Sequence, residues 1–198
     1  IAAVSRASQK AGGEKYQLGT LFEFLNGLSG KTADDFGEGH PFVTYMGVFD
    51  GPFIKDNAYG LVQASSNEGQ TVLKSGDILM TMTSETKPEA GFVSLYENAH
   101  QGEVFLNSFC ACLRPKANKV IPEFAYCALS SPDFRRQIWR ISQGSTRINL
   151  SKTEVKKLLL DIPSEEVQLG FAGSLRTTVE EIEKSKRLLT ALKKQKRG

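Results

Sequence analysis

The chain has 198 residues, 40% hydrophobic and 24% charged, with a formal net charge of +3. That is an ordinary globular composition, sufficient for one core and an extension. No uninterrupted apolar run approaches the ~20 residues of a membrane-spanning helix, and three cysteines (Cys110, Cys112 and Cys127) in apolar surroundings suit a reducing cytoplasm better than a disulfide scaffold.

In chain order, Ile1 to Glu14 is small and polar, lacks a signal-peptide core and reads as a disordered leader or cloning remnant. Short apolar or β-branched runs follow at Pro41–Phe49, Tyr59–Ala64, Thr71–Leu73, Asp77–Thr83, Gly91–Tyr96 and Val104–Leu113, each bounded by Gly, Pro, Asn or Ser. Strands at this spacing, with no helical period between them, predict a mixed or antiparallel β core. The pattern changes at Pro122. Glu123–Leu129 carries Phe124, Cys127 and Ala128 at helical spacing behind a proline suited to a first turn. Ser131-Pro132-Asp133 opens a second helix through Trp139 and Ile141. Gln143–Arg147 is a polar loop, Ser151 and Glu154 form a capping-box pattern for a short helix, and Leu158–Ile162 is a last, buried strand. The expected fold is α+β: a β-rich globular domain over residues 15–163 with a few helices, then one long helix over residues 164–198.

That last helix opens at Pro163-Ser164 and meets no breaker after Gly173. It would run about 34 residues, roughly 50 Å at 1.5 Å per residue. A coiled-coil seam falls on Gln168, Phe171, Leu175, Thr178, Ile182, Ser185, Leu189, Leu192 and Lys196, flanked by Val179 and Leu188. A helix of this length is stable only if its stripe is covered. Folding back on its own domain would leave it overrunning a small β domain, so a partner helix is expected, with Phe171, Leu175, Ile182, Leu189 and Leu192 as contacts. The charge is uneven: Lys184 to Gly198 holds seven Lys or Arg and no acid, and Arg135, Arg136, Arg140 and Arg147 form a second basic group. Such patches permit nucleic-acid contact and are more often solvated faces.

Catalytic patterns are scarce. His40 and His100 stand apart from acids and cysteines at ligand spacing, and Cys110-x-Cys112 lacks the second pair that a zinc site needs. No metal or cofactor is expected, and no glycine-rich phosphate loop is present. Asp77 with Glu85-Thr86-Lys87 has the Asp…Glu-x-Lys order of magnesium-dependent nucleases. A continuous strand would hold those two acids roughly 25 Å apart at 3.3 Å per residue. What remains is a polar loop surface of Lys31, Lys55, Ser84, Glu85, Thr86, Lys87, Asn107, Ser108, Ser145, Arg147 and Asn149. Lys and Arg suit phosphates, and Asn, Ser, Glu and Arg suit base edges in the major groove.

The order of motifs resembles one half of a type I restriction-modification specificity subunit. The resemblance begins at Tyr16-Gln17-Leu18-Gly19 and Gly27, then Pro41–Tyr45, Leu73-Lys74-Ser75-Gly76-Asp77-Ile78-Leu79, Thr83–Thr86, Leu106-Asn107 and Arg114-Pro115. It continues through Ser130-Ser131, Phe134-Arg135, Gly144–Arg147 and Asn149–Ser151 to Leu160-Asp161-Ile162-Pro163 at the mouth of the helix. The family has a Glu-Gln pair early in that helix; here Glu165-Glu166-Val167-Gln168 stands instead. The resemblance implies a cytoplasmic target-recognition domain that reads half of a bipartite double-stranded DNA site. It also implies a spacer helix that docks methyltransferase and restriction subunits, and no catalysis in this chain. Members carry two such halves, so two copies are expected to pair antiparallel through their helices. The alternatives are a magnesium-dependent nuclease, the specificity part of a fused restriction-methylation enzyme, and an adaptor that binds protein through the helix.

Overall fold

A computed structural model describes residues 13–97, 100, 102–116, 119–144 and 146–195. The expected leader up to Gly12, together with Ser145 and Lys196, lies outside the described residues; Glu14 already belongs to the first strand.

The centre is a four-stranded antiparallel sheet in the order β2 (Phe22–Asn26), β9 (Cys110–Pro115), β5 (Ile78–Thr81), β7 (Val93–Leu95). Alternate side chains of its middle strands enter two different cores. Ile78, Met80, Ala111 and Leu113 face the larger one, which also holds Phe22, Phe124 and Phe134. Leu79, Cys110 and Cys112 face a second core with Val43, Val48, Tyr96 and Leu106. Burial on both faces is why these strands read as continuous apolar runs. Burial also accounts for the thiols: it pushes Cys110, on β9, up to about 12 and Cys127, outside the sheet, up to about 11, and all three cysteines are free.

A second, mixed sheet has the order β4 (Tyr59–Val62), β3 (Phe36–Val43), β8 (Phe105–Leu106), with β3 and β8 parallel. Two short antiparallel pairs complete the domain. β6 (Thr83–Ser84) meets β10 (Ile148–Asn149), and β1 (Glu14–Gln17) meets β11 (Leu159–Ile162). Helices are the single turn α1 (Leu18–Leu21), α2 (Pro122–Leu129), α3 (Pro132–Ile141), α4 (Lys152–Lys157) and α5 (Glu165–Gln195). This is the α+β architecture expected.

Several elements differ in extent. The run expected to end at Phe49 leaves the strand after Val43, because the Thr44 hydroxyl accepts from Gly47 N–H and starts a 3₁₀ turn over Met46–Phe49. Thr71–Leu73 forms no strand; Leu73 contributes one backbone bond to Val104. Val104–Leu113 splits into β8 and β9 where Asn107 turns the chain. Ser151 precedes α4 as expected but makes no side-chain cap, and β11 is only half buried.

At the head of β5, Arg114 Nε and Nη2 donate to the two carboxylate oxygens of Asp77 at 2.9 and 2.7 Å. Asp77 also accepts from Lys74 N–H, and Arg114 reaches the Val72 carbonyl. The carboxylate that a nuclease reading needs is therefore committed to holding this turn, at 1% exposure.

The long helix divides in two. Its first half packs on the domain: Gln168, Ala172 and Leu175 are buried, and Phe171 meets Phe124 with ring centroids 5.9 Å apart. Phe171 and Leu175, expected as partner contacts, thus serve the chain's own core. Ile182, Leu188, Leu189 and Leu192 lie beyond the domain, each about half exposed or more. Folding back and reaching outward, set against each other from sequence, are both true of one helix.

Candidate nucleic-acid interface

After β5 the chain leaves the central sheet at Met82 and continues as β6, where Ser84 pairs with Ile148 and Thr83 with Asn149. This pairing is non-local. It brings the Thr83–Glu89 turn against the Gln143–Asn149 loop, and the Thr83 hydroxyl bonds Asn149 Oδ1 at 3.1 Å. Gly144 makes the loop possible. It sits at φ +109°, and a Cβ there would collide with the Arg147 carbonyl oxygen. The reciprocal backbone bonds between Gln143 and Asn149 then close the loop, with Arg147 exposed at its tip.

Two further segments complete a groove of about 500 Å³ lined by Tyr45, Met46, Phe49, Thr83, Ser84, Glu85, Glu89, Phe109 and Arg147. Tyr45 donates its hydroxyl to the Thr83 carbonyl at 2.9 Å, and burial pushes its pKa up to about 12. Rings run in a chain from Phe109 to Tyr45 to Phe49 to Phe92, with centroids 6.5, 5.2 and 5.0 Å apart. A guanidinium caps each end: Arg147 lies 5.9 Å from the Phe109 ring and Arg135 5.9 Å from Phe92. The two arginines differ. Arg135 donates to the Pro88 carbonyl at 2.6 Å and braces the turn, and burial lowers its pKa from the ordinary arginine value. Arg147 makes no ion pair among the described residues; it lines the groove, exposed, on an aromatic support worth ~0.5–1 kcal/mol at such a site.

Of the residues expected to meet DNA, Ser84, Glu85 and Arg147 line this groove, with Asn149 bonded to its wall. Thr86 and Lys87 are exposed on the adjoining turn, and Ser84 donates its hydroxyl to the Thr86 carbonyl. Asn107 and Ser108 occupy the turn before Phe109, where Asn107 Oδ1 accepts from Phe109 N–H. Lys55 is drawn to Asp50 at 3.3 Å, one residue past Phe49. Lys31 stands elsewhere, paired with Glu68 at 2.5 Å on the second sheet's side. Tyr45, Met46, Phe49, Thr83, Glu89 and Phe109 of the lining, with Phe92 and Arg135 beside it, were not singled out from sequence as site residues. Their signal was aromatic residues interleaved with basic ones at loop edges, a pattern that pairing across the sheet alone turns into a surface.

The architecture is a loop-bearing α+β domain from which a single helix projects. The chain belongs to the family of type I restriction-modification DNA specificity domains, whose model matches residues 12–194. Its fold is similar to the type I restriction-modification S subunit of M. genitalium (TM-score 0.62, 16% identity), covering 91% of this chain and 42% of that one. The HsdS subunit of Thermoanaerobacter tengcongensis is similar at TM-score 0.62 and 15% identity, with 93% and 45% covered. The type IIG restriction endonuclease BpuSI shares the fold at TM-score 0.54 and 9% identity, with 89% and 28% covered. The chain thus spans less than half the length of each of these structures. No curated protein matches the sequence. No helix among the described residues is long and apolar enough to cross a membrane.

Proposed function

We propose that this chain reads one half of a bipartite double-stranded DNA target for a type I restriction-modification complex, and that partner methyltransferase and restriction subunits perform the chemistry. The observation that carries this reading is the convergence of Glu85 and Arg147 from two distant segments on one groove of a specificity-domain fold, with buried Ser84 and the Thr83–Asn149 bond holding the two segments together. Their groups suit base edges: guanidinium to guanine, carboxylate to the cytosine amino group. Lys87 on the adjoining turn suits a phosphate. On this reading the protein works in the cytoplasm and has no cofactor of its own.

The exposed distal half of α5 supports pairing of two copies, antiparallel, so that the two basic ends lie apart. Thr178 donates its hydroxyl back to Ser174 and Ser185 remains on the seam, giving the stripe a polar interruption that favours one register. Two identical halves related by a two-fold axis read a palindromic target with a fixed spacer.

Co-expression with the methyltransferase of the same locus, followed by modified-base sequencing, tests the reading. The expected result is co-purification and methylation at one palindromic bipartite sequence; absence of sequence-specific methylation rejects it. Sedimentation equilibrium at micromolar protein is expected to show a dimer that Leu189→Asp converts to monomer, and a wild-type monomer would reject the pairing. A second reading, the recognition part of a fused restriction-methylation enzyme, draws on the fold shared with BpuSI. It predicts no stable complex with a separately encoded methyltransferase.

A further inference from the structure

The root of α5 is held by polar contacts out of keeping with a helix that merely rests on its domain. Gln168 is 4% exposed, and its amide is fully engaged by main chain from two sides. Its Oε1 accepts from Ile121 N–H at 2.8 Å, and its Nε2 donates to the carbonyls of Lys119 and Pro163 at 3.3 and 3.0 Å. Two turns on, Arg176 donates from Nη2 to Glu97 at 2.7 Å and from Nε to Glu123 at 3.0 Å, with its guanidinium 5.3 Å from the Phe53 ring. Glu97 follows β7, Glu123 lies on α2, and Phe53 bridges to Leu95 of β7. Between these fixings lie the Phe171–Phe124 contact and buried Leu175. Past Val179 the helix leaves the domain.

Apolar contacts such as Phe171 on Phe124 are non-directional and tolerate sliding. A buried amide with three main-chain partners and a guanidinium divided between two carboxylates do not; each has one orientation in which all its bonds are made. The free arm from Val179 to Gln195 is roughly 24 Å long at 1.5 Å per residue. A tilt of only about 8° at its root moves the tip by about 3.4 Å, one base-pair rise along DNA. The angle at which α5 leaves the domain therefore matters at base-pair resolution.

We propose that Gln168 and Arg176 are positioning residues that fix the angle between domain and helix, and thereby the spacer length that the assembled reader accepts. The angle-setting role stands on the chain's own geometry; its consequence for the spacer rests on the reading under Proposed function.

Spin labels at Asn67→Cys on the domain and Lys184→Cys on the helix, off the apolar seam, report the angle as a distance distribution in the full chain. The native cysteines are buried and stay unlabelled, and dilution with unlabelled protein removes signals between copies. The expected result is one narrow distribution in wild type, a broadened or shifted one in Arg176→Ala, and only partial recovery in Arg176→Lys, whose ammonium keeps the charge without the fork that spans Glu97 and Glu123. Gln168→Ala, read alongside its thermal unfolding, is expected to broaden it further. Arg176 is half exposed and its removal leaves the core intact, so the measurement survives a poorly folding Gln168 variant. Unchanged distributions in folded variants overturn the proposal. In the methylation assay, Arg176→Ala is expected to keep the half-site sequence and lose selectivity for a single spacer, accepting spacers one base pair longer or shorter. Loss of the half-site sequence itself would instead assign Arg176 to reading and overturn the positioning role. Absence of methylation by wild type would reject the DNA reading and leave the distance result to decide the joint.

Discussion

The two ends of the β5–β6 segment carry the same chemistry and use it in opposite ways. At the buried end, Asp77 meets a two-pronged guanidinium from Arg114, and a backbone N–H occupies a further lone pair. At the open end, Glu85 and Arg147 line one groove, and Arg147 rests on a ring without a counter-ion among the described residues. Residue type does not separate a structural ion pair from a binding surface. Saturation does: a group whose donors or acceptors are filled by its own chain stabilises the fold, and one left half-filled is available to a ligand.

The sharpest way to break this contrast is at the saturated end. Asp77→Ala leaves the Arg114 guanidinium partly buried without its partner and unties the turn at Lys74. Breaking such a pair costs about 3–5 kcal/mol. Urea unfolding should register a loss in that range, and a loss below about 1 kcal/mol, the scale of an exposed pair, would mean that Arg114 finds water as readily as Arg147 does.

Next comes the backbone that holds the open end. At Gly144 the left-handed conformation and the collision of a Cβ with the Arg147 carbonyl act together. Gly144→Ala should cost about 1–3 kcal/mol of strain or be relieved by opening the loop. Either way the Gln143–Asn149 backbone bonds weaken, and amide hydrogen exchange at Asn149 should accelerate while exchange within β5 and β9 does not. Equal acceleration in both places would show that loop and sheet are one cooperative unit.

What was legible in the sequence follows the same division. The helices were readable because their periods and start signals are local: Pro122, Ser131 and the breaker-free stretch after Gly173 each act within a few residues. The long helix misled in one respect. A seam at constant spacing looks uniform, and nothing in it shows that α2 and Glu97 would claim the stretch through Arg176 while the rest stayed bare. Strand limits were blurred where Asn107 and Thr44 turn the chain with side-chain bonds inside apolar runs. The groove was half legible. Ser84, Glu85 and Arg147 were picked out by type and Thr83 and Glu89 were not, while Tyr45, Phe49 and Phe109 come together only through pairing between segments dozens of residues apart, and each ring alone reads as core. Lys31 had the right type and the wrong neighbours, since Glu68 claims it.

The smallest effects separate two roles within the open end. Arg147→Ala removes an exposed side chain, so stability should stay within about 0.5 kcal/mol. Binding of the assembled complex to its own site should weaken by about 1–3 kcal/mol, with relaxed preference at one base position. Lys87→Ala, on the exposed turn beside Glu85, should weaken binding to every sequence alike and reduce the slope of log affinity against log salt by about 0.9, one phosphate contact. The pair of variants therefore tests whether half-filled groups at this surface differ by what they meet. A guanidinium held on an aromatic face has few orientations and can read a base edge; an ammonium on a flexible stem follows charge and cannot. If Lys87→Ala altered base preference and Arg147→Ala altered only the salt slope, the roles assigned from support and rigidity would be reversed. The Gln143–Asn149 loop would then be a phosphate clamp, with the Thr83–Glu89 turn as the reader.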